Sequence, residues 1–179
     1  MQPEENQETK EQTPEVEIDE MKYQHFISEL EDNQSIQMGM LGGIIGAVIG
    51  AAAWAGITVA TGYQIGWMAV GVGFLVGYGV RIMGKGISKQ FGIVGAILAI
   101  VGCLAGNLLS VVAVVSRQED IPFLDLLVRL NPEIVMDIFK TTFSLMDLLF
   151  YGIAIYEGYR FSFRQITEDE LSGLVKAKT

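Results

Sequence analysis

Between Asp32 and Arg81 the chain runs for 48 residues, Asn33 to Val80, without an Asp, Glu, Lys or Arg. A second uncharged run, Gln90 to Ser116, lasts 27 residues. Folded in water, such stretches would leave too little polar surface to cover them. A helix needs about 20 apolar residues to cross about 30 Å of hydrocarbon, so the first run is long enough for two crossings and the second for one. Half of the residues are hydrophobic, only 18% are charged and the mean hydropathy is +0.38. An average soluble chain is about 25% charged. These features predict an all-α integral membrane protein. The net charge of −9 argues against a nucleic-acid partner, and a single cysteine excludes a disulfide framework.

The break in the first run falls at Thr61-Gly62-Tyr63-Gln64, where turn-forming and interfacial residues cluster. Spans are therefore predicted at about 38–60, 64–83 and 91–115, with a fourth at about 134–156 that contains Lys140 and Asp147. Residues 37–158 would form a four-helix transmembrane domain between an amino-terminal region, 1–36, and a carboxy-terminal tail, 159–179. With four spans, both tails and the middle loop share one side. That side carries nine basic residues, among them Arg81, Lys85, Lys89, Arg160 and Arg164, against Arg117 and Arg129 opposite. The positive-inside rule then makes both termini cytoplasmic. A cleaved signal peptide is not expected, because the region before the first span is long and acidic rather than short and basic.

Residues 1–16 are acidic, rich in Gln and Pro, and too polar to fold on their own. Ile18, Met21, Phe26 and Leu30 then recur at helical spacing and predict a short amphipathic helix leading into the membrane. The segment Ile121 to Leu130 is apolar but too short to span, and reads as interfacial or re-entrant. Pro122 would sit in its first turn and Asn131-Pro132 would end it.

Two nucleotide motifs are approached and missed. Gly79-Val80-Arg81-Ile82-Met83-Gly84-Lys85-Gly86 lacks the final Ser or Thr of a phosphate-binding loop, and Gly71 to Gly77 has one residue too many for a dinucleotide fingerprint. With His25 and Cys103 each alone, no metal-ligand or nucleophile–base spacing exists. No cofactor and no enzymatic activity are expected.

The stronger signal is glycine: 18 of the 21 glycines lie from Gly39 to Gly106. Gly39, Gly42 or Gly43, Gly46, Gly50 and Ala53 fall on one face of the first span, and Gly66, Ala69, Gly73 and Gly77 on one face of the second. Gly92, Gly95, Ala99, Gly102, Gly106 and Ser110 do so in the third. Small-residue stripes let helix backbones approach closely in lipid, and predict a tight bundle. The fourth span differs. Asp137, Lys140, Thr141, Ser144, Asp147 and Tyr151 share one face, with Asp137 and Lys140 close enough to pair. Asp147 would lie near the bilayer centre, where an ionisable residue is costly. It is expected to serve as a proton or ion relay, or else as a carboxyl bonded to Asn107, Ser110 or Tyr151.

The segment Gly66-Trp67-Met68-Ala69-Val70-Gly71-Val72-Gly73-Phe74-Leu75-Val76-Gly77-Tyr78-Gly79-Val80-Arg81, followed by Gly84 and Gly86, resembles one found in many uncharacterised bacterial multi-spanning inner-membrane proteins. The resemblance covers about residues 64–110. It implies a bacterial inner-membrane location and a compact helical hairpin, and carries over no activity and no catalytic residue. The expected function is that of a non-enzymatic assembly or interaction component in the lipid bilayer, partnered by a second copy or another membrane protein. The alternative is a small-solute or ion transporter or channel using Asp147.

Overall fold

The computed structural model describes residues 19–174, so the expected unfolded stretch at 1–16 and Ile18 lie outside the described residues. Eight helices follow in order: α1 (Glu20–Asn33), α2 (Ile36–Thr61), α3 (Met68–Gly84), α4 (Lys89–Gln118), α5 (Phe123–Val128), α6 (Pro132–Thr142), α7 (Leu145–Phe161) and α8 (Glu168–Ser172). No strand occurs among the described residues. They divide into two compact units, one of Leu30–Gln165 and one drawing on residues up to Glu29 and from Ile166 onward. In the smaller unit the Asp19 N–H donates to the Leu174 carbonyl at 2.9 Å. Met21 is 83% exposed there, so it does not share the buried face predicted for α1; Leu30 is the buried residue of that helix.

Helix boundaries in the larger unit follow local chemistry. The Ser35 hydroxyl accepts from the Met38 N–H and caps α2. Gly62, with φ of 73°, ends it in a left-handed turn that a side chain would strain. α2 and α4 are long and apolar enough to cross a membrane, and α3 is an apolar helix of 17 residues. α3 starts four residues later than predicted, because residues 64–67 form the connection.

The continuous fourth helix predicted at 134–156 does not form. α6 and α7 meet at a bend of 105° and would make a third crossing only as one broken span. The cause is local. The Thr141 and Thr142 hydroxyls donate back to the Asp137 and Ile138 carbonyls, each at 2.8 Å, and Phe143 is extended. Ser144 then opens α7 with a reciprocal cap to Asp147. Ser and Thr side chains that satisfy backbone groups in this way compete with helix continuation. Asn131-Pro132 follows the end of α5, as expected, and Pro132 also begins the next helix. It occupies the first turn of α6, which Asn131 caps by accepting from the Ile134 N–H at 2.8 Å. Pro122 lies just before α5 rather than in its first turn.

The interior holds Trp54, Ala69, Val72, Val76, Ala99, Cys103, Tyr151 and Ala154 from α2, α3, α4 and α7. Around it the residues that touch are mostly small. A Cβ on Gly42 would strike the Gly79 carbonyl, one on Gly46 the Leu75 carbonyl, and one on Gly73 the Ala154 carbonyl. Gly95 would meet the Gly158 carbonyl, Gly77 the Phe161 Cβ, Gly106 the Trp54 ring, and both Gly50 and Gly102 the Val72 side chain. Ala53, predicted to share the glycine face of α2, is instead exposed. The buried face runs through Ala51, Trp54 and Thr58, because steps of four residues rotate it past position 53. Many large aliphatic side chains point outward: Ile44, Ile45, Val48 and Ile49 on α2, and Ile93, Ile97 and Val101 on α4, are all exposed.

Candidate functional site

The inward face of α4 passes through Cys103, Gly106, Asn107 and Ser110, all buried. These positions follow the helical repeat that set the glycine stripe, so the stripe becomes polar towards the end of the helix. The Ser110 hydroxyl donates to the Gly106 carbonyl at 2.7 Å and accepts from Thr58 Oγ1 of α2 at 3.4 Å. From α7 the Tyr151 hydroxyl donates to the Cys103 carbonyl at 3.2 Å. From α6, Thr142 Oγ1 lies 2.8 Å from the Ile138 carbonyl and 3.4 Å from Asn107 Oδ1. A threonine hydroxyl has one proton to donate, and the shorter contact takes it.

That leaves Asn107 underserved. Its side chain is fully buried, and Nδ2 has no hydrogen-bond partner among the described residues. Trp54 Nε1, also fully buried, is in the same condition. The Trp54 ring lies against Gly106, next to Asn107 in the chain. An unpaired buried donor costs about 1–3 kcal/mol, and native structures carry few of them. The cluster therefore holds two buried donors without acceptors, beside the Asn107 Oδ1, whose neighbour Thr142 spends its proton on the Ile138 carbonyl. It is suited to an oxygen acceptor such as a carbonyl or water.

The residues predicted for the polar face of the fourth span separate at the α6–α7 break. Tyr151 and Asn107 come together in the interior. Asp137 and Lys140 do pair, at 3.4 Å, but with both side chains 68% exposed; such pairs contribute little. Ser144 and Asp147 form the cap of α7: Asp147 Oδ2 accepts from the Ser144 N–H and hydroxyl, each at 2.8 Å. The expected bond from Asp147 to Asn107, Ser110 or Tyr151 is replaced by this local one. The carboxylate is committed to a helix end, where it also meets the positive pole of the α7 dipole.

Thr58, Thr142 and Trp54 were not singled out by spacing. Thr58 and Trp54 could have been, since Gly46, Gly50, Trp54 and Thr58 continue one four-residue stripe. Thr142 could not, because its place depends on the break. Among the described residues no three His, Cys, Asp or Glu side chains come together to hold a metal. The Cys103 thiol is fully buried and directed at the Ala69 carbonyl, 3.7 Å away. Compared with protein-family models, with characterised proteins and with solved structures, the chain has no significant match.

Proposed function

We propose that this chain is a non-enzymatic multi-pass membrane protein that works as an assembly or interaction component. In this reading it crosses a bacterial inner membrane four times as a glycine-packed bundle with both termini cytoplasmic, α3 and the bent α6–α7 pair supplying the shorter crossings. Its partner is a second copy or another membrane protein. The outward display of Ile and Val with glycine inside supports the lipid setting, being the reverse of a water-soluble fold.

The observation that carries the assembly reading is how the helix seams close. Backbone meets backbone at Gly42–Gly79, Gly73–Ala154 and Gly95–Gly158. Such contacts favour a rigid body over a passage, and Asp147, the acid a relay would need, is held in a helix cap. Proteoliposome flux measurements with protons, monovalent ions and small neutral solutes test this, together with the native size of the complex extracted from its membrane. Expected are flux no higher than in empty vesicles and a complex larger than the 19.6 kDa chain. Flux above background overturns the reading.

A second reading, a small-solute path, draws support from the unpartnered donors of Asn107 and Trp54. The break between α6 and α7 favours it too, since interrupted helices frame binding sites in many transporters. Such a path would run by Asn107 rather than Asp147.

A further inference from the structure

The short helix α5 is apolar on both sides. Leu124 and Val128 are 70% and 86% exposed, while Leu126 lines a cleft between α4, α5 and α6. Val111, Val112 and Val115 of α4 and Ile134 and Ile138 of α6 also line it, and apart from Arg129 the lining among the described residues is aliphatic. Neither α5 nor α6 has a buried residue, so both lie against α4 without filling the space between. The cleft measures about 340 Å³. One turn along α4 and α6 from Val111 and Ile138, the side chains of Asn107 and Thr142 meet at 3.4 Å and bound its inner end.

Two turns of helix, about 10 Å across and about 11 Å long, need more than about 800 Å³, so a partner helix does not fit. A slender chain does, since sites of about 300–1,000 Å³ take small molecules. An aliphatic cavity stays dry and accepts apolar guests. The exposed Leu124 and Val128 put α5 at the level of acyl chains rather than in water, which makes an acyl chain the guest at hand. Arg129 is the C-cap residue of α5 and is exposed. Its guanidinium makes no hydrogen bond or ion pair among the described residues, whereas that of Arg117 donates to the Val59 carbonyl at 3.0 Å. A cation at a helix end with its head in water is the ordinary reading. It accounts for the guanidinium but not for the aliphatic cleft that the stem borders.

Asp125 stands one turn before Arg129, and Glu133 is in the first turn of α6. Both are exposed, and neither carboxylate has a partner among the described residues. A headgroup with net negative charge would be repelled by both. One that carries an ammonium beyond its phosphate complements the alternation of charge. We infer that this cleft holds one acyl chain of a phosphoethanolamine lipid, with the phosphate on Arg129 and the ammonium towards Asp125 and Glu133. The inference rests on the membrane reading above, which places the cleft at the outer interface.

The test reconstitutes the full chain in vesicles of equal parts phosphatidylethanolamine and phosphatidylglycerol and extracts it again in mild detergent. Retained lipid is counted by native mass spectrometry, and thermal melting is followed in parallel. Phosphatidylethanolamine should be retained in preference to phosphatidylglycerol. R129Q alters a side chain with no partner to lose, so it should melt as the parent does in lipid-free detergent. It should nevertheless retain at least about tenfold less phosphatidylethanolamine. V115F fills the cleft from a partly exposed position and should expel the lipid with Arg129 in place. K140Q, which removes only an exposed pair, should retain lipid as the parent does. No preference for phosphatidylethanolamine, or retention that survives R129Q, overturns the inference. Retention that survives V115F shows lipid held elsewhere and overturns it too. Failure of the membrane reading shows separately, as a chain that alkaline carbonate strips from the vesicles, and it overturns both.

Discussion

Gly71 and Gly73 lie two residues apart on α3 and should respond to the same substitution with opposite signs. A Cβ on Gly71 has nothing within 4 Å, whereas one on Gly73 falls 2.7 Å from the Ala154 Cα and 2.9 Å from its carbonyl carbon. Ordinary Cβ contacts begin near 3.4 Å, and backbone atoms cannot rotate aside as a side chain can. Gly73→Ala therefore forces α3 away from α7. Overpacking of this kind costs about 1–3 kcal/mol, and a contact with backbone belongs at the upper end. Replacing glycine by alanine inside a helix returns about 1 kcal/mol, so the net loss for Gly73→Ala should be about 2 kcal/mol. For a chain of this size that is a fall of about 4–8 °C in melting temperature. Gly71→Ala should be neutral, or stabilising by up to about 1 kcal/mol. Gly152 on α7, also with open space around it, should behave as Gly71 does. Thermal melting of the three variants in one detergent reads the difference. A Gly73→Ala protein that melts at or above the parent would refute the argument that these helices touch through their backbones.

Asp147→Asn removes the carboxylate from the α7 cap and should cost about 0.5–1 kcal/mol, and Asp147→Leu or Ser144→Ala about 1–2 kcal/mol, in the same melting assay. A larger loss for the Asn variant than for the Leu variant would show that Asp147 does more than cap. Asn107→Leu removes an unpartnered buried amide and should leave stability within about 1 kcal/mol of the parent, whereas the solute-path reading requires that it abolish flux. Cys103, buried against the Ala69 carbonyl, should resist maleimide in the folded protein and react once it is unfolded in sodium dodecyl sulfate. Labelling as fast as a free thiol would place it at an open surface. A topology reporter should read cytoplasmic at Met1 and Thr179 and external near Glu119; tails on opposite sides would mean that the bent α6–α7 pair does not cross as a unit.

Much of the helical order is local information, and so it is present in the chain itself. The charge-free run from Asn33, the cap at Ser35 and the turn at Gly62 suffice to bound α2, and the run from Gln90 to Ser116 bounds α4 within a few residues. Hydropathy, capping and helical periodicity each act over one or two turns. The break at residues 143–144 has a local cause as well. Ser144 and Asp147 already have the spacing of a capping box, but an apolar window centred on 134–156 averages over it. Once the helix turns there, Asp147 leaves the bilayer-centre position that a straight helix would have assigned to it.

Pairing was not legible, because glycine stripes are interchangeable. Spacing places Gly42, Gly73 and Gly95 on faces, but nothing in it matches Gly42 to Gly79, Gly73 to Ala154 or Gly95 to Gly158. The same holds for polar contacts. Asn107 meets Thr142 and lies near Tyr151 only because α6 bends away while α7 returns against α4. Arg81 and Gln165 are 84 residues apart in the chain and 3.0 Å apart in space. Which small residues touch depends on three-dimensional shape complementarity between whole helices, and many registers present nearly the same small-residue pattern. The sequence by itself therefore determined that this chain makes apolar, glycine-faced helices; the tertiary structure alone decided which backbones meet, and so which polar groups are buried without partners and where a cleft is left between helices.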